Sequence, residues 1–275
     1  MSVLVTTEDL AQHPEWRTFD CRHDLANPQL GEQQYLETHI PGALFAHLDR
    51  DLSAPKNGGN GRHPLPEARA FISWMGKQGL KPTDTVVCYD GGPGAMAARL
   101  WWMLRWAGHE QVAVLDGGLA KWQREGRPVT ADVPTFEAAS YPGRARASMH
   151  ASLALVEKKL KRAALLDARA PARYRGEQEP IDPVAGRIPG AKNRFNNDNL
   201  SAEGVFKSPE KLRADFEAAL AGRNPADVIN YCGSGVAACH NALAMEIAGL
   251  TGSRVYIGSW SEWSADPARP ISRSV

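Results

Sequence analysis

The chain has 275 residues, 43% of them hydrophobic, and a formal charge of +1 spread over interspersed acids and bases. That length can bury one large core or two ordinary ones and excludes a disordered tail, while the even charge excludes the basic stripe of a nucleic-acid binder. No stretch approaches the ~18 apolar residues of a membrane span, so neither a nucleic acid nor a membrane is expected as a partner.

The N-terminal segment MSVLVTTEDLAQHPEW turns polar early and has no basic start or apolar centre, so no signal peptide is expected. The cysteines Cys21, Cys88, Cys232 and Cys239 are too few for a disulfide scaffold, and free thiols in a cytoplasmic setting are expected. Along the first half, FDCR (19–22) and HIPGA (39–43) precede TVVCY (85–89), AMAARLWWMLRWAG (95–108) and QVAVL (111–115), which read as strand, helix and strand, with Gly108 stopping the helix. LDGGLAKW follows and ends at Trp122. A proline-containing, weakly periodic segment runs from about Pro128 to Ser148.

Beyond it the same plan returns. LDAR (166–169) answers FDCR, and RIPGA (187–191) answers HIPGA. SPEKLRADFEAAL (208–220) starts a helix with Ser208 as N-cap and Pro209 at the first helical position. DVINY (227–231) reads as a strand, 236–248 as a helix closed by Gly249, SRVYI (253–257) as a strand, and GSWSEW ends at Trp263. From Asp90 to Trp122 is 32 residues and from Cys232 to Trp263 is 31, so the anchors repeat in register. The chain therefore reads as a tandem duplication of an α/β domain, each copy a mainly parallel sheet flanked by helices on both faces. The expected division is 1–130, a linker at 131–148, and 149–275.

Cys232 falls at the carboxyl end of a strand, where ligands gather in a parallel sheet. The turn CGSGV then enters a helix, so successive N–H groups and the helix N-terminus can form a cup that stabilises an anion, including a thiolate on Cys232. Gly233 and Gly235 supply backbone freedom and Ser234 a hydroxyl. A nucleophile fits this pattern better than an ordinary buried thiol, whereas Cys239, inside the helix, and Cys21 and Cys88, beside apolar strands, read as core. No ligand spacing for a metal is present, and no Gly-Lys-Ser/Thr follows the loop for a nucleotide phosphate. A cysteine phosphatase would need an arginine six positions after Cys232, where Ala238 stands.

Taken together, the duplicated halves, the loop CGSGVA, and the segments YDGGPG, RLWWMLRWAGH, DAR, RYRG, RIPGAKN, FKSPEKL and GSWSEW resemble the two-domain rhodanese-type sulfurtransferases over nearly the whole chain. Within that family the loop is similar to CGSGVTA of the 3-mercaptopyruvate branch, with Ala237 in the threonine place, rather than to the doubly cationic CRKGVTA of animal thiosulfate sulfurtransferases. The resemblance implies that sulfane sulfur moves from 3-mercaptopyruvate, or from thiosulfate, through a persulfide on Cys232. The acceptor would be a thiol such as thioredoxin or glutathione, or cyanide, and no cofactor or metal is implied. The alternatives are thiosulfate as the main donor and a non-catalytic sulfur-binding regulatory module.

The resemblance also implies site residues. Gly233, Gly235, Val236 and Ala237 would line the donor; Arg173 in RYRG would bind its carboxylate, since a planar guanidinium gives two parallel contacts. The family's second arginine, just after EP, is replaced here by Ile181. Arg187 occupies the place of His39 in the first copy, and two readings stay open for it, a substitute cation and a solvated surface arginine. Ser234, with His63 of GRHPLPE and Asp51 of DRDL, would assist proton movement. Trp260 would wall the loop. Asp90, in the cysteine place of the first copy, leaves that domain silent as a transferase.

Overall fold

A computed structural model of the chain describes residues 2–160 and 162–274. Its elements alternate strand and helix, because short β-branched runs are separated by longer runs of helical period. In the first half the strands are β1 (Leu4–Val5), β2 (Arg17–Asp20), β3 (Leu44–Phe45), β4 (Val86–Tyr89) and β5 (Val112–Leu115). The intervening helices are α1 (Thr7–Gln12), α2 (Leu30–Glu37), α3 (Ala68–Lys77), α4 (Ala95–Trp106) and α5 (Gly118–Arg124). The strands lie in the order β1-β5-β4-β2-β3, all neighbours parallel. Helical crossovers impose that arrangement, and both faces of the central strands are buried: every residue of β4 and β5 is inside.

The second half repeats the sequence of elements. It contains α6 (Leu153–Lys159), β6 (Ala164–Asp167), α7 (Pro171–Arg175), β7 (Lys192–Asn193), α8 (Pro209–Leu220), β8 (Val228–Tyr231), α9 (Ala237–Ile247), β9 (Arg254–Val255) and α10 (Ser259–Trp263). The parallel order is β7-β6-β8-β9. The counterpart of β1 is reduced to one parallel bridge, His150 to Val255. Details repeat with the elements: Tyr89 Oη accepts from Ile40 N at 3.2 Å, and Tyr231 Oη from Ile188 N at 3.3 Å. Trp122 donates its ring N–H to Pro128 O, and Trp263 to Pro270 O.

The helix signals act as the sequence predicts. Ser208 accepts from Lys211 N, and Pro209 opens α8. Gly108 and Gly249 adopt φ of 96° and 69° just beyond α4 and α9. The strand expected over 253–257 is shorter, because the chain leaves the sheet after Tyr256 N pairs with Asn230 O. Cys21, Cys88 and Cys239 are buried. No helix among the described residues is long and apolar enough to cross a membrane.

By packing, the chain forms two compact units whose sequences interleave: 1–54, 66–146 and 202–206 in the first, 55–65, 147–201 and 207–275 in the second. Residues 131–146, expected within a linker, pack on the first unit. Ala139 N donates to Gly76 O, His109 Nδ1 lies 2.7 Å from Tyr141 Oη, and the Arg17 guanidinium stacks on Phe136. The segment 55–65 belongs to the second unit, which bears on the site below.

Candidate active site

Strand β8 ends at Tyr231, and Cys232 stands at its tip with 3% of its surface exposed. The loop 232–236 is held from behind by the start of α10. Cys232 N donates to Ser259 Oγ at 3.1 Å, Trp260 N donates to Cys232 O at 2.9 Å, and Ser261 N donates to Gly233 O at 2.9 Å. Because the peptides are trans, carbonyls turned toward α10 turn the N–H groups of Gly233 and Ser234 the other way, into the cup. Gly235 N donates to Cys232 Sγ at 3.1 Å. Gly235 has φ of 78°, and a Cβ there would lie 2.3 Å from Ile257 O, so a glycine is required. Ser259 also has positive φ, 54°, without being glycine; its hydroxyl donates to Tyr256 O while accepting from Cys232 N, a local strain compensated by two hydrogen bonds.

Ser234 is buried, and its Oγ lies 2.8 Å from His63 Nδ1. The two residues, 171 positions apart in sequence, meet because Gly61, at φ of 84°, lets the 55–65 segment press onto the turn before α10. A Cβ on Gly61 would lie 2.9 Å from Gly258 O, and Arg62 N donates to Ser261 Oγ. Asp51 lies in the first unit, where its Oδ2 accepts from His47 N and its carboxylate pairs with Arg50. Val236 precedes α9 as its N-cap residue and is buried; Ala237 opens the helix.

Arg173, on α7, reaches the loop. Its Nη2 and Nη1 lie 3.4 and 3.5 Å from the point a Gly233 Cβ would occupy. Glu179 orients it, accepting from Nη2 at 2.6 Å and Nε at 3.2 Å, and Asp182 accepts from Nη2 at 3.1 Å. Burial drives the Glu179 carboxyl up, but the Arg173 hydrogen bonds and the N–H groups of Ile181 and Asp182 outweigh it and hold it below the usual range. Asp182 is raised, because its burial outweighs the pull of Arg62. Arg169 closes the network behind, forked onto Asp167 and reaching Glu179.

Sequence reasoning missed Arg62, Glu179, Asp182 and Ser259. Arg62 pairs with Asp182, Nε to Oδ1 at 3.1 Å, and its Nη2 lies 2.5 Å from the virtual Gly233 Cβ. Any side chain at 233 would strike it. Arg187 is engaged elsewhere: it donates to Tyr174 O and Ser274 Oγ and stacks on the Tyr174 ring. Trp260 supports the loop through its backbone, while its ring is fully buried in the core under Arg169 and donates to Val184 O.

In the first unit Asp90 holds the place of Cys232. Its Oδ1 accepts from Gly92 N at 2.9 Å and Gly94 N at 3.0 Å; its Oδ2 accepts from Met96 N at 3.0 Å and Ala97 N at 3.3 Å. The carboxylate fills the anion cup from within. A cavity of about 300 Å³ beside it is lined by Arg22, His23, Gln34 and Met96. Among the described residues His23, His47 and Asp49 bring metal-ligand atoms within 4.8 Å of one another. His47 Nδ1, however, accepts from Asp49 N and Arg50 N, which leaves the proton on Nε2 and unsuits that nitrogen to a metal.

The family described as "Rhodanese-like domain" matches residues 6–125 and 152–266. The chain is 46% identical, over 98% of its length and 97% of the relative's, to a Pseudomonas aeruginosa protein named "Probable 3-mercaptopyruvate sulfurtransferase". It is 36% identical, over 94% of its length and 91% of the relative's, to the thiosulfate sulfurtransferase of Bos taurus. Among solved structures, the 3-mercaptopyruvate sulfurtransferase from Leishmania major superposes with a TM-score of 0.85 at 30% identity, over 96% of this chain and 74% of that one.

Proposed function

This chain belongs to the rhodanese-like family, and from that premise we propose that it is a sulfurtransferase taking sulfane sulfur from 3-mercaptopyruvate through a persulfide on Cys232. The observation that carries the reading is Cys232 at the tip of β8, its Sγ met by Gly235 N–H at 3.1 Å, with the Arg173 guanidinium beside the next residue.

In the first half-reaction the Cys232 thiolate attacks the donor sulfur. An S–S bond forms, the donor C–S bond breaks, and its electron pair passes to the three-carbon fragment as an enolate. The proton that the donor thiol gives up ends on the methyl carbon of pyruvate, so the enzyme is left as an anionic persulfide with no proton gained or lost. The Ser234–His63 pair, 2.8 Å apart, is suited to carry that proton. In the second half-reaction a thiolate or cyanide attacks the outer sulfur, the S–S bond breaks, and Cys232 leaves as thiolate. The scheme is covalent catalysis of the ping-pong kind, and the N–H groups of the cup stabilise the anion at every stage. Cyanide serves as acceptor in the assay; thioredoxin and glutathione, with accessible thiols, fit the second step in a cytoplasmic setting, which the four free cysteines support.

Thiosulfate is the second reading, favoured by the name of the bovine relative. Purified protein given each donor with cyanide, with thiocyanate and pyruvate measured, decides between them: thiocyanate with stoichiometric pyruvate from mercaptopyruvate is expected, at a higher kcat/KM than from thiosulfate. Equal rates from wild type and Cys232→Ala would remove the persulfide reading.

A further inference from the structure

Ile181 stands where the sequence pattern leads one to expect a second cation, yet the loop at Cys232 has two guanidiniums beside it. One is Arg173. The other is Arg62, which reaches the loop from the segment 55–65, next in sequence to His63. Both flank Gly233: the virtual Cβ lies 2.5 Å from Arg62 Nη2 and 3.4 Å from Arg173 Nη2. Asp182, whose side chain is 2% exposed, ties them together, its Oδ1 3.1 Å from Arg62 Nε and its Oδ2 3.1 Å from Arg173 Nη2. Arg173 is thus hydrogen-bonded along one edge and offers the other, while Arg62 is paired with Asp182 through charge alone, its Nε in ion-pair range without a hydrogen bond. Arg173 Nη1 makes no hydrogen bond among the described residues, and neither does either Nη of Arg62.

We propose that Arg62 and Arg173, bridged by Asp182, form a two-armed clamp for the donor carboxylate, with Arg62 supplying the cation that position 181 lacks. The proposal rests on the sulfurtransferase reading above. Two guanidiniums paired with one buried carboxylate, both beside the residue next to the nucleophile, match a planar carboxylate, which can take parallel N–H···O contacts from both. The local charge also selects. Arg62 and Arg173 are balanced by Glu179 and Asp182, and Arg169 by Asp167, so the clamp presents donors without a large net positive charge. A monoanion such as an α-keto acid is held by geometry at little electrostatic cost, whereas the dianion thiosulfate adds a charge beside Asp182 that nothing offsets. Asp182 is on this account a specificity residue: it positions both arms and penalises the dianion.

The test is steady-state kinetics of Arg62→Gln, Arg62→Lys and Asp182→Asn with mercaptopyruvate and with thiosulfate, cyanide as acceptor, and thermal melts as a check on folding. Arg62→Gln should raise KM for mercaptopyruvate roughly tenfold or more, with kcat changed less, because a contact shared by bound donor and transition state is removed. Pyruvate should weaken in parallel as a competitive inhibitor. Arg62→Lys, which keeps the charge but loses the fork, should fall between. Asp182→Asn should raise the ratio of kcat/KM for thiosulfate to that for mercaptopyruvate about threefold or more. A folded Arg62→Gln with unchanged KM and unchanged pyruvate inhibition would overturn the clamp, as would an unchanged or lower donor ratio in Asp182→Asn. If Arg62→Gln does not fold, Arg62→Lys decides alone, and a wild-type KM in it overturns the proposal. A wild-type protein that takes sulfur from neither donor is a different result, since it removes the sulfurtransferase reading itself and the clamp with it.

Discussion

The loops at Asp90 and Cys232 occupy the same place in two copies of one scaffold, between β4 and α4 in the first and between β8 and α9 in the second, and differ in what fills the anion cup. In the first copy the Asp90 carboxylate accepts four backbone N–H groups, from Gly92, Gly94, Met96 and Ala97, and so completes the loop on its own. In the second, Cys232 Sγ accepts from Gly235 N–H, and the carbonyls of Cys232 and Gly233 turn to α10, so that the N–H groups of Gly233 and Ser234 point away from it and are left for a bound anion. A cup that stabilises charge serves stability when the chain supplies the charge and chemistry when a substrate does.

The sharpest way to break this comparison is at the nucleophile. Cys232→Ser should lower sulfur transfer by about 10⁴-fold or more, because an alkoxide neither forms readily nor holds sulfane sulfur. Mass spectrometry of wild type after donor incubation should find one added sulfur on the peptide bearing Cys232, and none in the variant. In that background Asp90→Cys should not restore transfer, since Arg22, which lines the cavity beside Asp90, is spent on Asp20 and offers no counterpart of the Arg173 contact. Thiocyanate production by the double variant above that of Cys232→Ser would show that position and thiol alone suffice.

Next in size is the substrate arm. Arg173→Gln should reduce kcat/KM for mercaptopyruvate by about 10²-fold, the loss of a charge-assisted pair, and most of the change should appear in KM. Glu179 and Asp182 would be left without their shared partner, so a thermal melt belongs beside the kinetics. A change confined to melting temperature would assign Arg173 to structure alone.

Ser234→Ala probes the proton path. It removes the hydroxyl 2.8 Å from His63 Nδ1 and should cost about 10-fold to 10²-fold in kcat with mercaptopyruvate, toward the lower end of what a positioned acid or base contributes. With thiosulfate, whose leaving sulfite needs no proton at carbon, the loss should be smaller. Combined with His63→Asn the two losses should not add, because each variant breaks the same contact. Additive losses would separate the two residues.

Much of this was legible in the chain itself, and the rest was not for a definite reason. The repeat, the strands ending at Tyr89 and Tyr231, the caps at Ser208 and Gly249 and the position of Cys232 are written in local pattern, because hydrogen bonding and periodicity act over a few residues. The family resemblance pointed to Arg173, Ser234 and His63, and the structure brings all three to the loop. Arg62 and Ser259 carry no such pattern. Their roles arise where segments about 170 and 27 residues away meet the loop, and only Gly61, a glycine that admits the close approach of the Gly258 backbone, hints at that contact. The loop CGSGVA carries no cation of its own, and both guanidiniums beside it, Arg62 and Arg173, come from outside it. Arg187 and the Trp260 ring, candidates by place in a motif, are engaged with Tyr174, Ser274 and the core, because the neighbours that claim them lie beyond the motif.

Stability should divide between the two loops in the opposite sense to activity. Asp90→Ala leaves four N–H groups without their carboxylate, two of them at the start of α4, and should cost about 2–3 kcal/mol, some of it recovered by water entering the adjoining cavity. Cys232→Ala removes a small side chain that accepts from Gly235 N–H, and should cost about 1 kcal/mol. Urea unfolding of each variant gives the two numbers. An equal cost at both loops would mean that the carboxylate contributes no more than the thiol.

The smallest effect expected from the comparison lies at equivalent helix starts, α3 and α8. Ser208 caps α8 by accepting from Lys211 N, whereas Glu67, at the same place before α3, makes no side-chain cap hydrogen bond. Ser208→Ala should therefore lose about 1 kcal/mol, and Glu67→Ser should gain a few tenths or more by adding the missing acceptor to the first copy. Neither helix start touches Cys232, so the donor KM should stay at its wild-type value while the unfolding midpoint moves. A shift in KM with either variant would mean that the starts of these helices are coupled to the loop, and the two copies would then differ in more than the contents of their cups.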